Sequence, residues 1–293
     1  MQTLFDGDDV TVTYDAASAA KDIVVFSFSG HGMHKLPNPR YGDGFLQKIG
    51  VHAVFFTAKD DHWWQSVEMG PSIAAANEAT KGVHRRIAYG QSMGGFGAAA
   101  FAVSLDAEYL ITAPQLSVLP ARAKMHKVWL DGFSDRPLIY PDAAIRMSEA
   151  KGKIIYDTLH PIDTTHANLL KGLPGDHKRL VVPMASHFVP RTLTEAGVFS
   201  SLISDLILSP EADLAHHRRG IRENRLKSGR YVEMLIERLR QRKGDLLWRL
   251  SERAIARFLR ADGIDLKAYP AHVKFLISYP EKKWGPRYGR KAA

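Results

Sequence analysis

The chain has 293 residues with 45% hydrophobic content, enough for one large α/β domain or two smaller ones. It contains no cysteine, which excludes disulfides, thiolate metal sites and a cysteine nucleophile. The net charge of +9 is uneven: residues 209–293 hold 21 Lys and Arg against 10 Asp and Glu, whereas residues 1–208 hold 19 against 21, so a near-neutral body carries a basic C-terminal extension.

The first nine residues, Met1 to Asp9, are acidic and lack an apolar signal core. No run reaches membrane-spanning length, so a soluble, cytoplasmic protein is expected. Val10–Tyr14 alternates like an early edge strand. Asp22–Ser29 is an apolar run of buried-strand type, ending at Gly30-His31-Gly32, and Val51–Thr57 is the next. Pro71–Thr80 is predicted helical, with Pro71 in the first turn. Arg86–Tyr89 is a short strand, and the small residues Gly97–Val103 suit a helix. Further strands are expected at Glu108–Ala113, Lys153–Tyr156 and Arg179–Met184, followed by a helix over Leu193–Leu208. Short apolar runs separated by helical stretches imply a mostly parallel sheet covered on both faces. Between Ala113 and Lys153 lie Pro114, Pro120, Pro137 and Pro141 with Trp129, Phe133 and Tyr140. That segment is longer than a crossover needs, and forms either a small lid or a long surface loop.

The basic extension also has helical periodicity. Arg230–Leu239 spaces its apolar residues for a helix, Gly244 breaks it, and Asp245–Leu250 with Ser251–Ala261 forms the second helix of a pair. Its basic face suits an anionic partner: nucleic acid, an anionic membrane surface or acidic glycans. The tail from Glu281 to Ala293 is polar and expected to be loose. The reading divides the chain into residues 1–208 and 209–293.

The segment Gly90-Gln91-Ser92-Met93-Gly94-Gly95 carries the chemistry. A strand must turn sharply into a helix with Ser92 at the apex, and such a turn tolerates little bulk, so glycines flank it. The serine hydroxyl then projects above the sheet, and the helix N-terminus beneath it favours developing negative charge. There is no Gly-x-x-x-x-Gly-Lys-Ser/Thr loop, no His-Glu-x-x-His and no dinucleotide fingerprint, so neither a cofactor nor a metal is expected.

With these elements in this order, the chain resembles the α/β-hydrolase superfamily over roughly residues 10–208. The runs Asp61-His62-Trp63-Trp64-Gln65 and Tyr89–Gly97 resemble bacterial hydrolases of ill-defined substrate, some of which occur beside cell-surface polysaccharide enzymes. The resemblance implies a serine esterase with Ser92 as nucleophile and an acyl-Ser92 intermediate. The base is then a histidine after the last strand, which is the place of His187 in Ala185-Ser186-His187-Phe188. The acid follows the strand Lys153–Tyr156, where Asp157 and Asp163 both qualify. The family's acid usually falls between these positions, so the chain departs from the pattern here. Asp163 has a ready role as N-cap of a helix over Thr164–Lys171, which tilts the choice toward Asp157. The oxyanion hole is implied at the Met93 amide and at Gly30 or His31. Trp63 and Trp64, on the same sheet edge, either wall the substrate pocket or pack beneath it. The expected substrate is a small-molecule or glycan-linked ester. With a sugar hydroxyl as acceptor the same machinery is an acyltransferase, and without an activated serine the scaffold is a non-catalytic interaction protein.

Overall fold

The apolar runs of the first half become strands and the small-residue runs become helices. A computed structural model of the chain describes residues 1–17, 22–131, 133 and 135–242. The described strands are β1 (Gln2–Asp6), β2 (Val10–Asp15), β3 (Ile23–Phe28), β4 (His52–Ala58), β5 (Arg85–Ser92), β6 (Glu108–Pro114), β7 (Gly152–Tyr156) and β8 (His177–Val181). They form one eight-stranded sheet in the order β1-β2-β4-β3-β5-β6-β7-β8. β1 pairs with β2, and β2 with β4, in antiparallel fashion; every other pairing is parallel.

Alternation along each strand splits the core in two. Phe26 and Phe28 of β3 face one apolar cluster with Phe56, Trp64 and Phe101, whereas Val25 of the same strand faces another with Phe55, Leu180 and Leu202. Helices α2 (Met69–Ala79) and α3 (Met93–Phe101) cover the first face; α1 (Asp43–Ile49), α7 (Val189–Glu195) and α8 (Phe199–Leu208) cover the second. With both faces buried, the central strands are mostly apolar rather than alternating with polar residues, Ser27 and Thr112 being buried exceptions.

Several expectations shift. Gln2–Asp6 is a strand, so β1 and not β2 forms the edge of the sheet. The helix expected over Leu193–Leu208 is two helices, α7 and α8, because Gly197 takes a left-handed turn at φ 72° between them. The segment between β6 and β7 carries the short helices α4 (Lys127–Asp131) and α5 (Ala143–Arg146) and is tied across itself by a bridge between Ser117 and Asp142. Helix α6 spans Pro161–Asn168, three residues earlier than expected.

The described part of the extension packs on the body. In α9 (Leu214–Asn224), Ile221 joins the second core cluster, and His217 Nε2 lies 3.1 Å from Asp205 Oδ2 of α8. Glu195 of α7 accepts hydrogen bonds from Ser228 Oγ and from the Arg230 amide, at 2.8 and 2.9 Å, where α10 (Gly229–Arg242) begins. The predicted second helix and the tail from Glu281 lie outside the described residues. Among the described residues no helix is long and apolar enough to cross a membrane.

Candidate active site

Ser92 ends β5 and immediately precedes α3, with φ 53° and ψ −117°. A non-glycine residue reaches that backbone region only when its surroundings enforce it. Here the glycines do so by letting backbones approach. A Cβ on Gly90 would lie 2.2 Å from the Gly94 carbonyl, and one on Gly94 would lie 2.3 Å from the Phe28 carbonyl oxygen. The first turn of α3 therefore presses against both its own strand and the end of β3.

Ser92 is not the sole strained residue. Seven described non-glycine residues have positive φ, and six of them, Trp63, Trp64, Ser92, Ala113, Met184 and Ser186, lie at or just beyond the C-terminal ends of β4, β5, β6 and β8. Strain is thus concentrated on one edge of the sheet, the edge where catalytic loops gather in parallel α/β sheets.

On that edge the side chains of Ser92, His187 and Asp163 come together. His187 Nε2 is 2.9 Å from Ser92 Oγ, and His187 Nδ1 is 2.8 Å from Asp163 Oδ1. The carboxylate can only accept, so Nδ1 carries the ring proton and Nε2 is left to accept from the serine hydroxyl. Asp163 is fully buried. Burial pushes its carboxyl pKa up, but the neighbouring His160 and His187 imidazoles outweigh that and hold it below the usual carboxylate value. Gln115 Nε2 also donates to Asp163 Oδ1, at 2.8 Å.

Asp157 is placed differently. Its Oδ1 accepts from the Leu159 amide and its Oδ2 from the Ser186 amide, both at 2.8 Å, so it pins the loop that carries His187 without touching the ring. Burial raises its pKa, against the two amides that lower it. Nor is Asp163 the cap of α6. His160 holds that position, its Nδ1 accepting from the Asp163 amide at 3.3 Å, and the Asp163 carboxylate is turned toward His187. His160, Asp163 and His187 put one ligand atom each within 4.8 Å of one another. The His187–Asp163 hydrogen bond and the cap at His160 bring these side chains together.

Of the oxyanion donors expected from the sequence, Met93 follows the serine directly and Gly30 lies near the residue before it. Met93 opens α3, so its amide has no partner within the helix. Gly30 lies beside the elbow: a Cβ there would be 3.6 Å from the Gln91 carbonyl oxygen. Its amide donates to Met33 Sδ at 3.1 Å, a weak acceptor that a negatively charged oxygen would outcompete. The His31 imidazole lies toward Asp61, with Nε2 3.4 Å from Oδ2.

Trp63 and Trp64 are both fully buried. Trp64 Nε1 donates to the Met93 carbonyl at 2.8 Å, holding the first turn of α3. Trp63 packs behind Trp129 with ring centroids 5.9 Å apart, and it is Trp129 that meets His187, at 4.8 Å. The segment between β6 and β7 therefore covers the site, as a lid would. Around the tryptophans, Asp61 Oδ1 accepts from the Gly32 amide, and Gln65 exchanges two hydrogen bonds with the Tyr140 backbone. The sequence marks Trp63 and Trp64 by their place on the sheet edge and Trp129 within a possible lid, but gives no sign of Gln115 and His160 as neighbours of the site. No local pattern marks contacts made across so many residues.

His166 lies one turn after Asp163 in α6, and its Nδ1 accepts from the Leu116 amide at 3.0 Å. Burial drives its pKa from 6.5 down to about 4. The unfolded chain takes up this proton near pH 6.5, whereas the native state resists it to about pH 4. The contribution is therefore complete above pH 6.5 and is lost as pH falls from there toward 4, by on the order of 3 kcal/mol. Urea midpoints measured across that range should fall with acidification, and His166→Gln should flatten the slope. An unchanged slope in the variant would reject the assignment.

No family model and no curated protein matches the chain. Solved structures do match by shape. A chain of the Glycosylation Associate Protein (Gap123) complex from Streptococcus agalactiae is 15% identical, with a TM-score of 0.51, over 72% of this chain and 46% of that one. The acylaminoacyl peptidase of Pyrococcus horikoshii is 14% identical, with a TM-score of 0.50, over 71% of this chain and 41% of its own. This chain thus spans less than half the length of either. The capsule O-acetyltransferase of Neisseria meningitidis serogroup A is 14% identical, with a TM-score of 0.47, over 75% and 92% of the two chains. The likeness is one of fold, a mostly parallel sheet covered by helices on both faces, of the α/β-hydrolase type.

Proposed function

We propose that this chain, with its α/β-hydrolase fold, is a serine hydrolase that cleaves an ester through an acyl-Ser92 intermediate. The observation that supports it most is the His187 ring, placed between Ser92 Oγ at 2.9 Å and Asp163 Oδ1 at 2.8 Å. A hydroxyl is a poor nucleophile until a neighbouring base takes its proton. In the proposed sequence, Ser92 Oγ bonds to the ester carbonyl carbon as its proton passes to His187 Nε2. The carbonyl oxygen becomes an oxyanion between the amides of Met93 and Gly30. Collapse breaks the bond to the leaving alcohol, which takes the proton from His187. Water then attacks the acyl-serine, with His187 again accepting the proton and returning it to Ser92. Asp163 stays ionised and stabilises the transient imidazolium.

A fluorophosphonate probe tests this directly. Peptide mapping is expected to find the label on Ser92. An unlabelled protein would instead fit a non-catalytic interaction protein built on the same scaffold. A sugar hydroxyl in place of water would make the same intermediate an acyl donor. Methyl glucoside added to an ester assay separates the two, because acyl transfer yields an acylated sugar and hydrolysis yields only the free acid.

A further inference from the structure

We propose that a cavity between α7, the end of β8 and the basic helix α9 binds a short acyl or alkyl chain carrying an anionic carboxylate or phosphate head. Arg218, Ile221, Arg222 and Arg225 recur at the spacing that puts them on one face of a helical stretch. Ile221 anchors that face in the second core cluster, and the arginines stand around it with their ends at or near the surface. Together these residues line a cavity of about 210 Å³, walled on the body side by Val182, Leu193 and Ala196 and closed by Tyr231 of α10.

A further observation points to an anionic occupant. The arginines have no carboxylate partner among the described residues. Arg218 donates to the Arg179 carbonyl at 3.1 Å, and Arg225 lies over the Tyr231 ring at 5.9 Å. Guanidinium forks match carboxylate and phosphate oxygens, and the apolar wall suits a hydrocarbon chain. An apolar cavity of about 150 Å³ holds benzene, so this one suits a chain of about six to eight carbons.

The place is separate from the serine. None of the lining residues is hydrogen-bonded to Ser92, His187 or Asp163. The loop bearing His187 does connect two of its walls, leaving one at Pro183 and re-entering the other at Thr192.

Calorimetric titration of the full 293-residue chain at low ionic strength tests the proposal. Octanoate and octyl phosphate are the probes, with 1-octanol and acetate as the tail and the head alone. At least one of the two anionic amphiphiles is expected to bind once per chain, and to do so about tenfold or more tightly than either control. Which of the two binds better identifies the head. The double substitution Arg222→Gln and Arg225→Gln should weaken that binding about tenfold or more. Ala196→Leu, which fills the cavity, should remove it. Both arginines lie at or near the surface, so the double variant remains informative if Ala196→Leu fails to fold. Absence of binding, equal binding of 1-octanol, or binding indifferent to the arginine substitutions would each overturn the proposal. The last result would place the ligand elsewhere, including at Ser92.

Discussion

Ser92→Ala is expected to abolish covalent labelling and to lower ester turnover by on the order of 10³-fold or more, with the fold intact. His187→Ala should cost as much, because an unactivated hydroxyl is left behind. The two losses should not add, since each variant already lacks the working unit, and the double variant should resemble either single one. The residual rate would be the part owed to the oxyanion donors and to substrate binding. The measurement is turnover of a small soluble ester, with melting curves recorded alongside. A Ser92→Ala protein free of wild-type contamination that retains its rate would end the serine mechanism.

The second large effect separates the two carboxylates. Asp163→Asn should reduce turnover by on the order of 10⁴-fold, because an amide in place of the carboxylate can fix the wrong tautomer of His187 and stabilises no imidazolium. Asp157→Asn should act on stability instead. One oxygen of an asparagine cannot accept both the Leu159 and the Ser186 amide at their present positions, so about 1–3 kcal/mol of stability is at risk. Its rate should change far less, through a looser His187 loop. Turnover and denaturant midpoints for both variants decide the matter. A larger loss of rate in Asp157→Asn than in Asp163→Asn would reverse the assignment.

That choice also shows where sequence reading stops. β3 and β6 were legible because a strand buried on both faces is mostly apolar, and the elbow was legible because its glycines answer a steric need within five residues. Gln2–Asp6 was not, since an edge strand with one neighbour needs little apolar content. The break at Gly197 had a local signal, a glycine inside a helical pattern, that the apolar spacing of Leu193–Leu208 overrode. The carboxylate that reaches His187 had no such local signal. The capping argument that tilted toward Asp157 gave Asp163 a task that His160 performs, and the contacts that orient Asp163 come from Gln115 and His187, 48 and 24 residues away in sequence. Trp129 meets His187 from a segment whose sequence allowed either a lid or an outer loop.

The segment Asp61–Gln65 has a consequence for how the site behaves as a mechanical object. It holds the Gly30–Gly32 loop through Asp61, the first turn of α3 through Trp64, and the segment covering the site through Gln65. Those three parts lie far apart along the chain, yet they share one anchor. Each part can move far only by breaking its own bonds to that anchor. If Ser92 is the nucleophile, swinging the whole cover away to admit an ester would have to break the two Gln65–Tyr140 hydrogen bonds, whereas side-chain motion would leave them in place.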